Sequence, residues 1–567
     1  MKFLLAAINA KYIHSNLGIY SLKTYADKKL MEEHPGDTLP IECPQIEMGE
    51  YTINHRMEYI LQDIYRRNPD VTGFSCYIWN IVYVKELVRD IKKVRPGMSI
   101  WLGGPEASYH AVEILREMPE VDGVMVGEGE ESFYRLVRAF EMARGQQADG
   151  FLKLLSEISG LTYRKSDGSI VENPINLLMN LDDIPFSYSD LTELEHRIIY
   201  YESSRGCPFS CSYCLSSIDK AVRFRSVELV KQELAFFLER RVPQVKFVDR
   251  TFNCKKSHAL EIWNYVLEHD NGVTNFHFEI SADLLDEEEL ALMERMRPGL
   301  IQLEIGVQTT NPDTIKEIRR SMDLDRVRWA VEKVNHFHNI HQHLDLIAGL
   351  PYENYESFKQ SFNDVYAMRP EQLQLGFLKV LKGSYMAEMA ANYELIHHTQ
   401  PPYEVLSTKW LSYEDIICLK GVEEMLEIHY NSGQFRHVME ELEKEFTTPF
   451  ELYETLAAYY EVQGLEKVSH SRLARYEILY TFIGTLPSAD RERYRDLLMY
   501  DLYLRENLKS RPSFARDQSP YKEQVRPFKQ NGTMTHIEVM GDGTMILFDY
   551  QNRDALLGNA AAIELVR

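Results

Sequence analysis

From residue 197 to about 384 the sequence repeats one pattern six times, a short apolar strand followed by a helix-length amphipathic stretch. The strands are expected at RIIYYESS (197–204), QVKFVD (244–249), NFHFEIS (275–281), LIQLEIGVQ (300–308), HLDLIAGL (343–350) and LQLGFLKV (373–380). Strands joined by helical crossovers lie parallel. Six such units predict a partial, TIM-like (βα)6 barrel whose chemistry sits at the carboxyl ends of its strands. After the first strand, Ser226 is placed to cap a helix with an apolar face of Val227, Val230, Leu234 and Phe237.

The 567 residues exceed what one core can organise, so three or four domains are expected. Residues 1–140 alternate strand and helix signals. The apolar runs are FLLAAI (3–8), VTGFSCYI (71–78), SIWLGG (99–104) and VDGVMVGEG (121–129), and Ile81, Val84, Leu87, Val88 and Ile91 recur at helical spacing between them. This predicts a doubly wound, Rossmann-like parallel sheet that takes ligands at its strand ends. Residues 141–196, including the hairpin-like LTYRKSDGSIVENP, read as a connector, and 197–384 as the barrel. Residues 385–567 read as a mainly helical domain that ends with a hairpin turn at Gly541-Asp542-Gly543.

The net charge of −23 argues against nucleic acid as the main partner. No apolar run has membrane-spanning length, and MKFLLAAINAKY reads as a first strand, not a signal peptide. A cytoplasmic protein is expected. Seven cysteines in a chain this long exclude a disulfide scaffold. Cys43, Cys76, Cys254 and Cys418 are scattered, and each is expected as a small buried hydrophobe.

The other three, Cys207, Cys211 and Cys214, fall within SSRGCPFSCSYCLSS directly after the first barrel strand. Three thiolates complete three iron sites of a 4Fe–4S cluster and leave the fourth open to a chelating substrate. Structural zinc normally takes a fourth Cys or His at motif spacing, and none follows closely. Cys-x3-Cys-x-aromatic-Cys, with Tyr213 as the aromatic, resembles the radical S-adenosylmethionine superfamily. The resemblance covers about 190 residues and implies that S-adenosylmethionine chelates the open iron. Reductive cleavage would then yield a 5′-deoxyadenosyl radical, with Tyr213 against adenine. It implies an anaerobic enzyme served by an electron donor such as flavodoxin or ferredoxin.

The same resemblance assigns further S-adenosylmethionine contacts to strand ends: Asp249 and Asn253 after strand two, Glu279 and Ser281 at strand three, and Glu304 and Gln308 at strand four. Ile347, Gly349 and Pro351 in LIAGLP match the loop after strand five. Local alternatives exist, with Asp249 as a loop cap and Glu279 as a partner of Arg225.

In the first domain, Ser75, Gly103-Gly104 and Gly127-Glu128-Gly129-Glu130 stand at strand ends, where small residues permit close approach of a cofactor. Beside such a barrel this set resembles the cobalamin-binding domain of cobalamin-dependent members. One departure concerns cobalt. Proteins with a histidine lower ligand carry Asp-x-His-x-x-Gly after the first strand; here NAKYIHSNLG has Tyr12 in place of Asp, and Gly18 one residue too far from His14. Without an orienting carboxylate, His14 is expected to be a loop residue.

Together the resemblances imply methyl transfer to an unactivated carbon of a small-molecule or peptide substrate. The alternative is a radical cyclisation or rearrangement with the same cofactors. A methylthiotransferase is disfavoured because it needs three more cysteines in the first domain, where only Cys43 and Cys76 occur. A non-enzymatic sensor fits poorly with so complete a set of barrel strand ends. The carboxyl-terminal region resembles the uncharacterised extension of one branch of these proteins.

Overall fold

A computed structural model describes residues 1–33, 43–143, 148–175, 178–218, 220–528 and 534–565. The chain forms two compact units, Met1–Glu279 with Lys379–Val405, and Ile280–Leu378 with Leu406–Arg567.

The first unit opens with a sheet of β1 (Lys2–Asn9), β2 (Gln45–Thr52), β3 (Val71–Ser75), β4 (Ser99–Gly103), β5 (Gly123–Met125), β6 (Leu161–Arg164) and β7 (Ile170–Glu172), in the order β2-β1-β3-β4-β5-β6-β7. The pairings from β2 to β5 are parallel, and β6 and β7 add an antiparallel hairpin at the edge. The hairpin-like stretch read as part of a connector therefore extends the sheet.

Both faces of the sheet are covered, which is why its inner strands read as nearly continuous apolar runs. Along β1, Leu4, Ala6 and Ile8 pack with Ile81, Val84, Leu87, Val88 and Ile91 of the helix Ile81–Val94. The alternate residues Phe3, Leu5 and Ala7 pack on the other face with Ile19, Ala26, Phe133 and Leu136.

Three further parallel strands follow: β8 (Ile199–Tyr201), β11 (Gln244–Phe247) and β12 (Asn275–Ile280). Between β8 and β11, a short antiparallel pair, β9 (Ser204–Arg205) and β10 (Arg223–Phe224), brackets the cysteine loop. The helix Val227–Glu239 buries Val230, Leu234 and Phe237 of the expected face, while Val227 in its first turn stays half-buried. The Ser226 hydroxyl makes no capping bond, however; its backbone N–H donates instead to Asp182 Oδ1 at 2.7 Å.

The second unit holds the remaining barrel-type strands, β13 (Ile301–Gln308), β14 (His341–Ala348) and β15 (Gln372–Phe377), all parallel. Its carboxyl-terminal part is built from helices such as Tyr413–Leu426, Pro449–Gln463, Arg472–Ile483 and Arg491–Arg505. Tyr453, Tyr476, Tyr494 and Tyr503 fill the core of this part. It ends in a three-stranded antiparallel sheet, Thr535–Val539, Met545–Arg553 and Ala560–Leu565, with the expected turn between the first two strands. There Gly543 adopts φ +89° and donates its N–H to Met540 O.

Candidate functional site

The cysteine loop leaves β9 through Gly206, whose φ of +95° and close approach to Ala221 O exclude a side chain. Cys207 and Cys211 are buried and Cys214 is half-buried. Cys207 Sγ lies 3.7 Å from Thr251 Oγ1, and the Cys214 N–H donates to Cys211 O at 3.1 Å. Among the described residues no cysteine is in a disulfide. Nor do any three His, Cys, Asp or Glu side chains converge on a single metal-ion position there. Of the four scattered cysteines, Cys43 and Cys76 are buried, Cys254 is half-buried and Cys418 is exposed. Cys418 departs from the expectation because the helix Tyr413–Leu426 turns Ile416, Leu419 and Val422 inward and leaves position 418 on the outer face.

Asp249 is wholly buried and accepts hydrogen bonds from Ser203 N (3.0 Å), Ser203 Oγ (2.7 Å) and Ser204 Oγ. Burial pushes its carboxyl up to about 6, against the pull of those bonds. It fastens the chain that leads into the cysteine loop, so the local alternative, a loop cap, describes its contacts. Asn253 is buried in the turn Phe252–Cys254. Glu279 stands near the end of β12. Arg225, its suggested partner, is instead taken by Glu233 and the carbonyls of Leu181 and Ile184.

In the second unit, the Ser281 hydroxyl donates to Asp283 Oδ1 at 2.6 Å, and Glu304 lies half-buried within β13. Gln308 closes β13 at φ +73°, with Oε1 buried and unbonded among the described residues. Gly349 follows β14 at φ +92°, a turn that glycine suits.

A cavity of about 770 Å³ opens in the first unit at the carboxyl ends of β3, β4 and β5. Its lining includes Ser75, Gly103, Gly104, Gly127, Glu128, Gly129 and Glu130, so the structure gathers every residue singled out in this sheet. Arg205, Gly206, Leu215 and Ser216, which flank the cysteines, line the same cavity.

The two glycines at β4 have different reasons. A Cβ on Gly103 would meet only Met125, at 3.7 Å, whereas one on Gly104 would sit 2.6 Å from Cys76 O, at a φ of +97°. Gly104 is thus required by its own backbone, whatever lies against it in the cavity. The Glu128 carboxylate is engaged by Arg223, by Arg205 at 3.4 Å and by Met179 N at 2.9 Å.

Sequence reasoning passed over Arg205 and its pairing with Glu130. The Arg205 guanidinium reaches Glu130 Oε1 at 2.8 Å and Glu202 Oε2 at 2.7 Å. Burial opposes the Glu130 charge, but Arg205 and Ser21 outweigh it and hold the carboxyl below its ordinary range. Their separation in sequence hid the pair. A second tie runs through Lys379–Val405. There the Tyr403 hydroxyl donates to Glu106, Lys382 Nζ lies 3.4 Å from Glu106, and Met386 N–H donates to Ser212 O at 2.9 Å, inside the cysteine loop.

A family model described as the radical SAM superfamily matches residues 201–365, and one described as a B12 binding domain matches residues 4–137. The chain therefore carries a radical SAM domain and a B12 binding domain. A third model, described as a protein of unknown function (DUF4080), matches residues 391–543. Among curated relatives, an uncharacterized methyltransferase, PH0819, of Pyrococcus horikoshii is 24% identical over 366 residues, covering 63% of this chain and 75% of the relative. The cobalamin-dependent radical SAM methyltransferase TokK of Streptomyces tokunonensis is 24% identical over 315 residues, covering 52% of this chain and 45% of TokK. The solved structure of the cobalamin-dependent S-adenosylmethionine radical enzyme OxsB with aqua-cobalamin and S-adenosylmethionine bound superposes with a TM-score of 0.58. It is 15% identical and covers 88% of this chain and 78% of OxsB, a likeness of fold.

A radical SAM domain beside a B12 binding domain takes a 4Fe–4S cluster, S-adenosylmethionine and cobalamin. The residues present fit these groups. Three thiols on one loop at a strand end match a cluster with one iron left open. Gly103 and Gly127 leave their share of the cavity wall without side chains, as a bulky planar cofactor requires. Among the described residues no helix is long and apolar enough to cross a membrane.

Proposed function

We propose that this protein is a cobalamin-dependent radical S-adenosylmethionine enzyme that methylates an unactivated carbon of a small-molecule or peptide substrate. One observation carries the reading: a single cavity is lined both by the strand ends of the cobalamin-type sheet and by the residues flanking the cysteine loop. Two groups that must exchange a methyl group or share a substrate need such a common space. The methyltransferase names of PH0819 and TokK support transfer over rearrangement.

Cys207, Cys211 and Cys214 would hold the cluster, which supplies the electron that cleaves S-adenosylmethionine, while cobalamin supplies the methyl carrier. Tyr213, Asn253, Glu279, Ser281, Glu304, Gln308 and Gly349 are the proposed S-adenosylmethionine contacts. Asp249 acts one step back, holding Ser203 and Ser204 ahead of the loop. Ser75, Gly103 and Gly127 receive cobalamin. Gly104 shapes the turn beside them, and Glu128 braces Arg205 and Arg223. Flavodoxin or ferredoxin serves as electron donor, in the cytoplasm.

The test is anaerobic reconstitution with iron, sulfide and hydroxocobalamin, followed by desalting, reduction and addition of S-adenosylmethionine. About one equivalent of cobalamin should stay with the protein, and 5′-deoxyadenosine should form. Protein that keeps no cobalamin and makes no 5′-deoxyadenosine would refute the reading.

A further inference from the structure

The loop after β1 is fastened to the first barrel-type strand. Ile198 N donates to Ile13 O at 2.7 Å, Ser15 Oγ donates to Ile198 O at 3.0 Å, and His14 Nδ1 lies 2.7 Å from the Tyr200 hydroxyl. On its other side Asn9 Nδ2 donates to His14 O at 3.0 Å. The imidazole is therefore fixed by its own backbone and by Nδ1. It lines the same cavity as Ser75, Gly103 and Gly127. Burial, with Lys11 and Lys246 nearby, lowers its pKa and so favours the neutral ring.

A histidine that binds metal through one ring nitrogen nearly always hands the other to an orienting partner. The sequence lacks that partner at position 12, where Tyr12 is 60% exposed and has the Arg197 guanidinium 4.9 Å from its ring centre. The fold supplies one from a different element, 186 residues away, in Tyr200.

We infer that His14 is the protein's axial ligand to the lower face of cobalt, oriented by Tyr200. The inference rests on the cobalamin reading above and deepens it. With Nδ1 committed to Tyr200, Nε2 is the nitrogen left for the metal, and in that state the Nδ1 proton is donated to the phenol oxygen. A neutral phenol is a weaker acceptor than a carboxylate, so the imidazole is a weaker donor to metal than a carboxylate-paired histidine.

Electron paramagnetic resonance of the cobalamin-loaded protein, reduced to Co(II), tests this with ¹⁵N-histidine labelling. The inference predicts a three-line superhyperfine pattern in unlabelled protein that becomes two-line on labelling. In His14→Ala the pattern disappears although cobalamin is still retained, and in Tyr200→Phe a growing share of the signal lacks nitrogen coupling. A three-line pattern that ignores the label would identify the cofactor's own base as ligand and overturn the inference, as would a signal with no nitrogen coupling. Both results leave the cobalamin reading standing, whereas absence of retained cobalamin removes both.

Discussion

Arg205 Nη2 lies 2.8 Å from Glu130 Oε1, which ties the residue two positions before Cys207 to the first residue of the helix after β5. The loop that carries the cysteines and the loop that borders the cavity are thereby one charged network, with Glu202 and Glu128 completing it. Arg205→Met leaves Glu130 buried and unpaired. Losing one partner of such a pair costs about 3–5 kcal/mol. Thermal unfolding of the variant should show the loss, and Glu130→Gln added on top should recover part of it. Equal stability of Arg205→Met and wild type would contradict the network.

Replacement of Cys207, Cys211 and Cys214 together by alanine should abolish iron and sulfide uptake, whereas Cys418→Ala, on an exposed helix face, should leave it unchanged. Iron and sulfide analysis after anaerobic reconstitution decides this. Full retention in the triple variant would remove the cluster from this loop.

The paired glycines at β4 should separate fold from binding. Gly104→Ala forces a side chain into Cys76 O at a backbone conformation nearly exclusive to glycine, at a cost of about 1–3 kcal/mol or more. Gly103→Val adds its first carbon in ordinary contact with Met125 and projects into the cavity. Unfolding midpoints should therefore fall mainly for Gly104→Ala, and cobalamin retention mainly for Gly103→Val. The reverse pattern would contradict this division of roles.

Asp249 makes stability depend on pH in a defined direction. Its carboxyl titrates at about 6 in the fold against an ordinary value of 3.8. Between those values the folded chain keeps a proton that the unfolded chain has lost, so stability falls as pH rises through about 6 and is level above it. At about 1.4 kcal/mol per pH unit, the effect over the whole window is on the order of 3 kcal/mol. Urea midpoints from pH 5 to pH 8 should show the slope below 6 in wild type and a flatter line in Asp249→Asn. An identical slope in both would assign it to another group.

Much of this architecture is legible from periodicity. The helix from Ile81 buries the five residues that recur at helical spacing, and each of the six barrel-type strands overlaps its expected run, although β14 begins at His341 and β15 at Gln372, ahead of the runs read for them. The strand β2 is harder to read because Glu47, Gly49 and Glu50 interrupt its apolar pattern at the sheet edge. Cys207, Cys211 and Cys214 announce themselves by spacing. Arg205–Glu130, Tyr403–Glu106 and Tyr200–His14 do not, since each joins residues at least 75 positions apart and no local pattern encodes such a meeting. The reason for Gly104 was equally hidden, because close approach to a carbonyl of the neighbouring loop becomes visible only once both strands are in place.

The most direct test of the proposed methyl transfer follows the methyl group itself. Protein loaded with cluster and cobalamin is reduced and given S-adenosylmethionine bearing a labelled methyl. The account predicts that label appears on cobalamin and S-adenosylhomocysteine accumulates with it, while 5′-deoxyadenosine forms in the same reaction. Formation of 5′-deoxyadenosine with no S-adenosylhomocysteine above background, and no label on cobalamin, would contradict methyl transfer and favour a rearrangement with the same cofactors.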